Sequence, residues 1–218
     1  MEIRTLISYL QTANINFLIG SGTSRPFLGT LGKIEEWLTK LSQDSSLDEN
    51  QRKLFLASVY RSYCQKAIVG NFTKTPTDKY TEVKENYANF MSYLNEIVNK
   101  RGSRLISKQI NLFTTNVDTL IENAAESLAI EFNDGFRGSV NQVFDESNFR
   151  KTIGKASLHF QSVAELPVFN LYKIHGSINW KRQIDDRVGN DFQLDLVSSI
   201  KVELETIADD AFVETEHD

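Results

Sequence analysis

Three short polar segments carry the chemistry this sequence could perform, and each directly follows an apolar run. Ile15–Ile19 leads into Gly20-Ser21-Gly22-Thr23-Ser24 and then Arg25-Pro26. "QINLF", 109 to 113, leads into Thr114-Thr115-Asn116-Val117-Asp118, and "VFNLYKI", 168 to 174, leads into His175-Gly176-Ser177-Ile178-Asn179. Glycines and hydroxyls at a sharp strand-to-helix turn point backbone N–H groups at whatever sits above the strand end. The start of the following helix adds partial positive charge, so a phosphate can sit there. Two glycines one residue apart also make an ordinary tight connection, and the third glycine of G-x-G-x-x-G is missing. The segment is not a Walker A loop, and Gly29 to Lys33 lacks both the spacing and the hydroxyl of one. Structural readings exist for the other two segments as well: Asn116 and Asp118 as caps of the next helix, and His175 as a turn histidine with its hydrogen bonds met.

Positioning these residues falls to the elements around them. The three apolar runs are short, which fits buried parallel strands. Between them lie helical patterns: Ile3, Leu6, Ile7 and Leu10; Leu31, Ile34, Trp37, Leu38 and Leu41; a segment around Leu54 to Ala67; and the stripe Val83, Tyr87, Phe90, Met91, Leu94, Ile97 and Val98. A further helix is expected through Leu120, Ile121, Ala124, Ala125 and Leu128. The first two helices are expected to lie against a sheet. Strands separated by helices make βαβ units, which predicts an α/β fold: a Rossmann-like parallel sheet with helices on both faces. The polar strand ends then lie side by side at one edge of that sheet. Residues 44 to 104 exceed a simple crossover and read as a helical insertion between the first two strands.

Composition bounds the function classes. With 218 residues, 40% hydrophobic and 24% charged, the chain reads as a soluble globular protein. A net charge of −5 and a pI near 5.3 argue against direct nucleic-acid binding, which calls for a basic face. The first 14 residues hold Glu2 and Arg4 and no long apolar core, so neither a signal peptide nor a membrane span is expected, and the expected compartment is the cytoplasm. A single cysteine, Cys64, excludes an intrachain disulfide and a C-x-x-C zinc site. Together with only three histidines it leaves no metal site to expect.

Taken in order, Gly20-Ser21-Gly22-Thr23-Ser24, Thr114-Thr115-Asn116-Val117-Asp118 and His175-Gly176 resemble the signatures of the sirtuin-like NAD-consuming family: a strand ending in G-[AS]-G-x-S, a T-x-N-x-D segment, and a strand ending in H-G. The stretches "IEFNDGFRG", 130 to 138, and "NLYKIHGSINW", 170 to 180, resemble the bacterial anti-phage defence branch of that family. The resemblance spans roughly residues 13 to 180 and implies a sirtuin-like domain over 1 to 185. It implies that NAD is the substrate, that Asn116 holds ribose hydroxyls or an attacking water, and that His175 is the general base. Asp118 would then grip the nicotinamide carboxamide, with Thr115, Gly176 and Ser177 lining the same site. Gly20, Ser21, Gly22, Thr23 and Ser24 would cradle the diphosphate, and Arg25 would neutralise a phosphate or line the nicotinamide pocket.

The implied activity is an NAD glycohydrolase serving as the toxic effector of anti-phage defence. Homo-oligomers are implied with it, in some cases with a HerA-type ATPase partner. A non-catalytic NAD or ADP-ribose sensor is the alternative. A protein deacylase or ADP-ribosyltransferase is disfavoured, because the deacylase branch carries a four-cysteine zinc module that one cysteine cannot build. The family's sheet continues past the H-G strand, whereas residues 186 to 218 offer only "FQLDLVSSIKVELETI" and an acidic tail. The fold is therefore expected to be incomplete at its C-terminus, with an open edge at the His175 strand.

Overall fold

The computed structural model describes residues 2–29, 34–69, 77–102, 106–159 and 162–206. Among these residues it is a mixed α/β structure with six α-helices and a four-stranded parallel sheet. The chain divides into two compact units, residues 1–20 with 84–192 and residues 21–83 with 193–218.

The first unit holds the sheet. Its strands are β1 (Ile15–Ile19), β2 (Gln109–Thr114), β3 (Phe132–Asn133) and β8 (Val168–Lys173), in the spatial order β1-β2-β8-β3. All three pairings are parallel, and the register aligns Ile19 with Thr114 and Thr114 with Lys173. The three strands expected from sequence are therefore neighbours, and their C-terminal ends lie side by side.

One sheet face presents Ile15, Phe17, Ile110, Leu112, Phe169 and Leu171. Helix α4 (Asp78–Asn99) reaches this face, with Phe90 meeting Phe17 edge-on at 5.2 Å between ring centres. Its expected stripe is buried at Tyr87, Met91, Leu94 and Val98. Helix α5 (Leu120–Ser127) lies over the same face, burying Leu120, Ile121, Ala124 and Ala125. Its Glu122 reaches Lys173 at the end of β8.

On the opposite face an asparagine row crosses the whole sheet. Asn111 Nδ2 donates to Asn16 Oδ1 at 2.8 Å, Asn170 Nδ2 to Asn111 Oδ1 at 3.0 Å, and Asn133 Nδ2 to Asn170 Oδ1 at 3.2 Å. A row of polar side chains that satisfy one another holds the register, because a slip by one residue would turn every asparagine toward the hydrophobic face. The next row on this face is apolar: Leu18, then Phe113 stacked on Tyr172, which stacks in turn on Phe149. Phe149 belongs to a 3₁₀ turn, Glu146–Arg150. Helices were expected on both faces, but the cover over β8 on this side comes from that turn.

The remainder of this unit is a small antiparallel sheet of β4 (Phe136–Arg137), β5 (Val143–Phe144), β10 (Val188–Asn190) and β9 (Trp180–Arg182), with a separate hairpin of β6 (Gly154–Ala156) and β7 (Val163–Glu165). Strand β10 comes from the 186–218 segment whose structure the sequence left open.

The His175 strand, β8, is not an edge; it lies between β2 and β3, and among the described residues the edges are β1, paired only with β2, and β3, paired only with β8. Helix α1 (Ile3–Thr12) forms where expected, yet it buries no residue and leaves Ile3 76% exposed. Helical periodicity establishes that an apolar face exists. It cannot say what covers that face.

The second unit contains α2 (Ile34–Gln43), α3 (Glu49–Tyr63), which passes into a π-helical turn at Cys64–Ile68, the start of α4, and α6 (Asp195–Thr206). Helix α3 starts at a capping box. Gln51 N donates to Asp48 Oδ1 at 2.8 Å, and the Gln51 side chain accepts from Asp48 N at 3.1 Å. Cys64 is half-buried, and that burial raises the pKa of its thiol. Leu31, Ile207 and the acidic tail, 208 to 218, lie outside the described residues. No helix among the described residues is long and apolar enough to cross a membrane.

Candidate functional site

Hydrogen bonds join the ends of β1, β2 and β8. The carbonyl of Ile19, last in β1, accepts from Thr114 Oγ1 at 3.0 Å and from Thr115 N at 3.2 Å. The same Thr114 hydroxyl oxygen accepts from Asn116 N at 3.0 Å. Thr114 therefore holds β1 with one half of its hydroxyl and the Asn116 turn with the other. From β8, Ile174 N donates to Thr114 O at 2.9 Å. Farther along the same connection, Ile178 N and Ser177 Oγ both donate to Val117 O, at 2.9 and 3.2 Å. The chain can turn back toward Val117 because Gly176 adopts a φ of 78°, a left-handed conformation that favours glycine.

Of the residues expected at the site, Thr115, Asn116, Asp118, Gly176 and Ser177 are thus brought together, with Gly20 one residue beyond Ile19. Asn116 was expected to face a ligand, yet it is only 5% exposed, and its Nδ2 donates to the Tyr87 hydroxyl of α4 at 3.3 Å. Asp118 is also buried. One of its carboxylate oxygens, Oδ1, accepts from Leu120 N, the first residue of α5, at 3.1 Å, while the N-cap of that helix is Thr119. The His175 imidazole is exposed at the rim and makes no hydrogen bond or ion pair among the described residues.

The glycine loop departs from expectation in one respect. No full helix follows it directly; Ser21–Ser24 form a single 3₁₀ turn, and residues 25–29 after it are not helical. Four residues sum to little macrodipole, so the helix-start charge expected to favour a phosphate is not supplied there. Neither Gly20 nor Gly22 has a left-handed φ, and a Cβ built on either meets nothing within 4 Å. The chain's own packing therefore does not require glycine at these positions. Ser21, Gly22, Thr23, Ser24 and Arg25 belong to the second unit, where Ser24 is buried and Arg25 exposed.

Beneath the strand ends lie charged residues that sequence reasoning passed over. Lys173 Nζ lies 2.9 Å from Glu122 Oε1 and also donates to the Asp118 carbonyl; the two side chains are 2% and 16% exposed. Burial raises the pKa of the Glu122 carboxyl, against the pull of the Lys173 charge. Two sequence signals could have found them: a lysine closing an otherwise apolar strand, and a glutamate inside the apolar helix pattern of Leu120 to Ala125.

Away from the strand ends, a groove of about 750 Å³ opens on the small antiparallel sheet. Its Arg137 and Arg187 are paired with Asp145 and Asp185 at 3.0 and 2.5 Å. Among the described residues no group of three or more His, Cys, Asp or Glu side chains is placed to hold a metal ion. No protein-family model matches the chain, and no curated protein is significantly similar to it.

Proposed function

We propose that this chain is a sirtuin-like NAD glycohydrolase with a Rossmann-like domain, acting as an effector of bacterial anti-phage defence. The observation that carries the reading is the adjacency of the three quoted segments: they end three neighbouring parallel strands, the place where open α/β sheets bind ligands. The proposal rests on the first-unit residues Gly20, Thr115, Asn116, Asp118, His175, Gly176 and Ser177.

The reaction adds water across the nicotinamide–ribose bond, giving nicotinamide, ADP-ribose and a proton. Positive charge grows on the ribose as nicotinamide leaves, so the site must orient the two halves more than it must supply strong acid. The Asp118 carboxylate accepts from the nicotinamide carboxamide N–H, and the Asn116 amide holds a ribose hydroxyl or the attacking water. His175 takes the proton from that water, a role suited to an imidazole near neutral pH. Its side chain is exposed and has no hydrogen bond or ion pair among the described residues that would hold it away from a bound substrate.

A second reading, a non-catalytic NAD or ADP-ribose sensor, draws on the burial of Asn116 and the engagement of Asp118 at the start of α5. Incubating the purified protein with NAD and following nicotinamide release separates the two. Steady release supports the hydrolase. Saturable NAD binding without release supports the sensor, and neither binding nor release refutes both.

A further inference from the structure

We propose that Lys173 is a positioning residue for this site: its ammonium, held by Glu122, fixes the Asp118 carbonyl and with it the turn that carries Asn116 and Asp118. The inference rests on the proposed NAD site for its functional consequence, and on the geometry alone for its structural one.

The turn after β2 is held at successive backbone groups. Thr115 N reaches Ile19 O, Asn116 N reaches the Thr114 hydroxyl, and Val117 O accepts from Ser177 and Ile178. The next carbonyl, Asp118 O, accepts from Lys173 Nζ. Lys173 is the last residue of β8 and is in register with Thr114. It therefore joins the His175 strand to the Asn116 turn through a charged side chain, where the other links are neutral.

Glu122, in the first turn of α5, completes the arrangement, and its second carboxylate oxygen is buried and accepts no hydrogen bond among the described residues. Stability alone does not explain such a pair, because well-packed apolar residues of similar volume commonly serve a buried position as well or better. Among the described residues the other buried cation is Arg101, which donates there to the carbonyls of Leu10, Ala13 and Ser107 and to no carboxylate. What the Lys173 pair adds is a fixed orientation for the Asp118 peptide and the start of α5. Misplacing reacting groups by about 1 Å can cost roughly 10²-fold in rate, so this orientation matters to the chemistry.

The test compares wild type with K173M, K173R and the double variant K173M/E122M, using thermal melting, hydrogen exchange of amides 116 to 122, and kcat and KM for NAD. K173M leaves a buried carboxyl without its cation and is expected to melt lower. K173M/E122M removes both charges and is expected to recover most of the melting temperature. It should still exchange at 118 to 122 at least about tenfold faster than wild type and lose about 10- to 10²-fold in kcat, with a smaller change in KM. A merely structural pair would be rescued in all three readouts, so a double variant with wild-type exchange and kcat overturns the inference. If the double variant does not fold, the exchange of K173R, which keeps the donors, is set against that of K173M, and equal exchange overturns it. A wild-type protein that neither binds nor cleaves NAD refutes the proposed function, while the exchange comparison still decides whether Lys173 positions the turn.

Discussion

Replacing Thr114 with valine probes the link between sheet and site, because Thr114 is fully buried and valine matches its shape. Its hydroxyl donates to Ile19 O and accepts from Asn116 N, both at 3.0 Å. Losing two neutral hydrogen bonds costs about 1 kcal/mol each, with up to about 3 kcal/mol where a buried donor loses its acceptor. The extra apolar carbon returns about 0.8 kcal/mol. The net expectation for T114V is a loss of about 2 kcal/mol, or roughly 4–8 °C in melting temperature for a chain of this size. T114S keeps the hydroxyl and loses one methyl, at a cost of about 1 kcal/mol. The expected order of stability is therefore wild type, then T114S, then T114V. Hydrophobicity alone gives the reverse ranking of the two variants, so the sign of the difference discriminates. Nicotinamide release should follow the same order, since Asn116 is held through that hydroxyl. Melting curves and initial rates on the three proteins suffice, and a T114V protein as stable and as active as wild type would refute this account of Thr114.

Asn116→Ala should lower nicotinamide release by at least about 10²-fold while the protein still melts cooperatively, and wild-type turnover by the folded variant would remove Asn116 from the mechanism. His175→Ala should lower kcat by about 10²-fold or more and leave the melting temperature nearly unchanged, because the side chain is exposed and makes no hydrogen bond or ion pair among the described residues. If NAD affinity falls instead and the saturated rate does not, His175 is a binding residue. Asn170→Ala interrupts the asparagine row at its fully buried member, which makes three hydrogen bonds to Gln109, Asn111 and Asn133, and should destabilise the protein by about 2–4 kcal/mol in a denaturant titration. A midpoint equal to wild type would show that the row does not hold the sheet.

Local features were legible in the residues alone. Each of the three apolar runs forms a strand at the expected place, because a short apolar run closed by glycine or hydroxyl residues has few other ways to bury itself. The α4 stripe packs as its spacing requires, for the same reason. Asparagine falls at a matching place in each run, Asn16, Asn111 and Asn170, followed two residues on by Leu18, Phe113 and Tyr172. The register that aligns them could have been read from that pattern. Long-range packing set which two strands, β1 and β3, lie at the edges. Pairing order depends on how crossovers pass over the sheet, and β3, only two residues long, carries too weak a pattern to announce that it flanks β8. It decided also that Asn116 is buried under Tyr87, that α1 shows its apolar face to solvent, and that Lys173 and Glu122 meet beneath the strand ends. Those outcomes follow from contacts between residues 29 to 51 positions apart, or from what covers a helix face, and local periodicity carries neither kind of information.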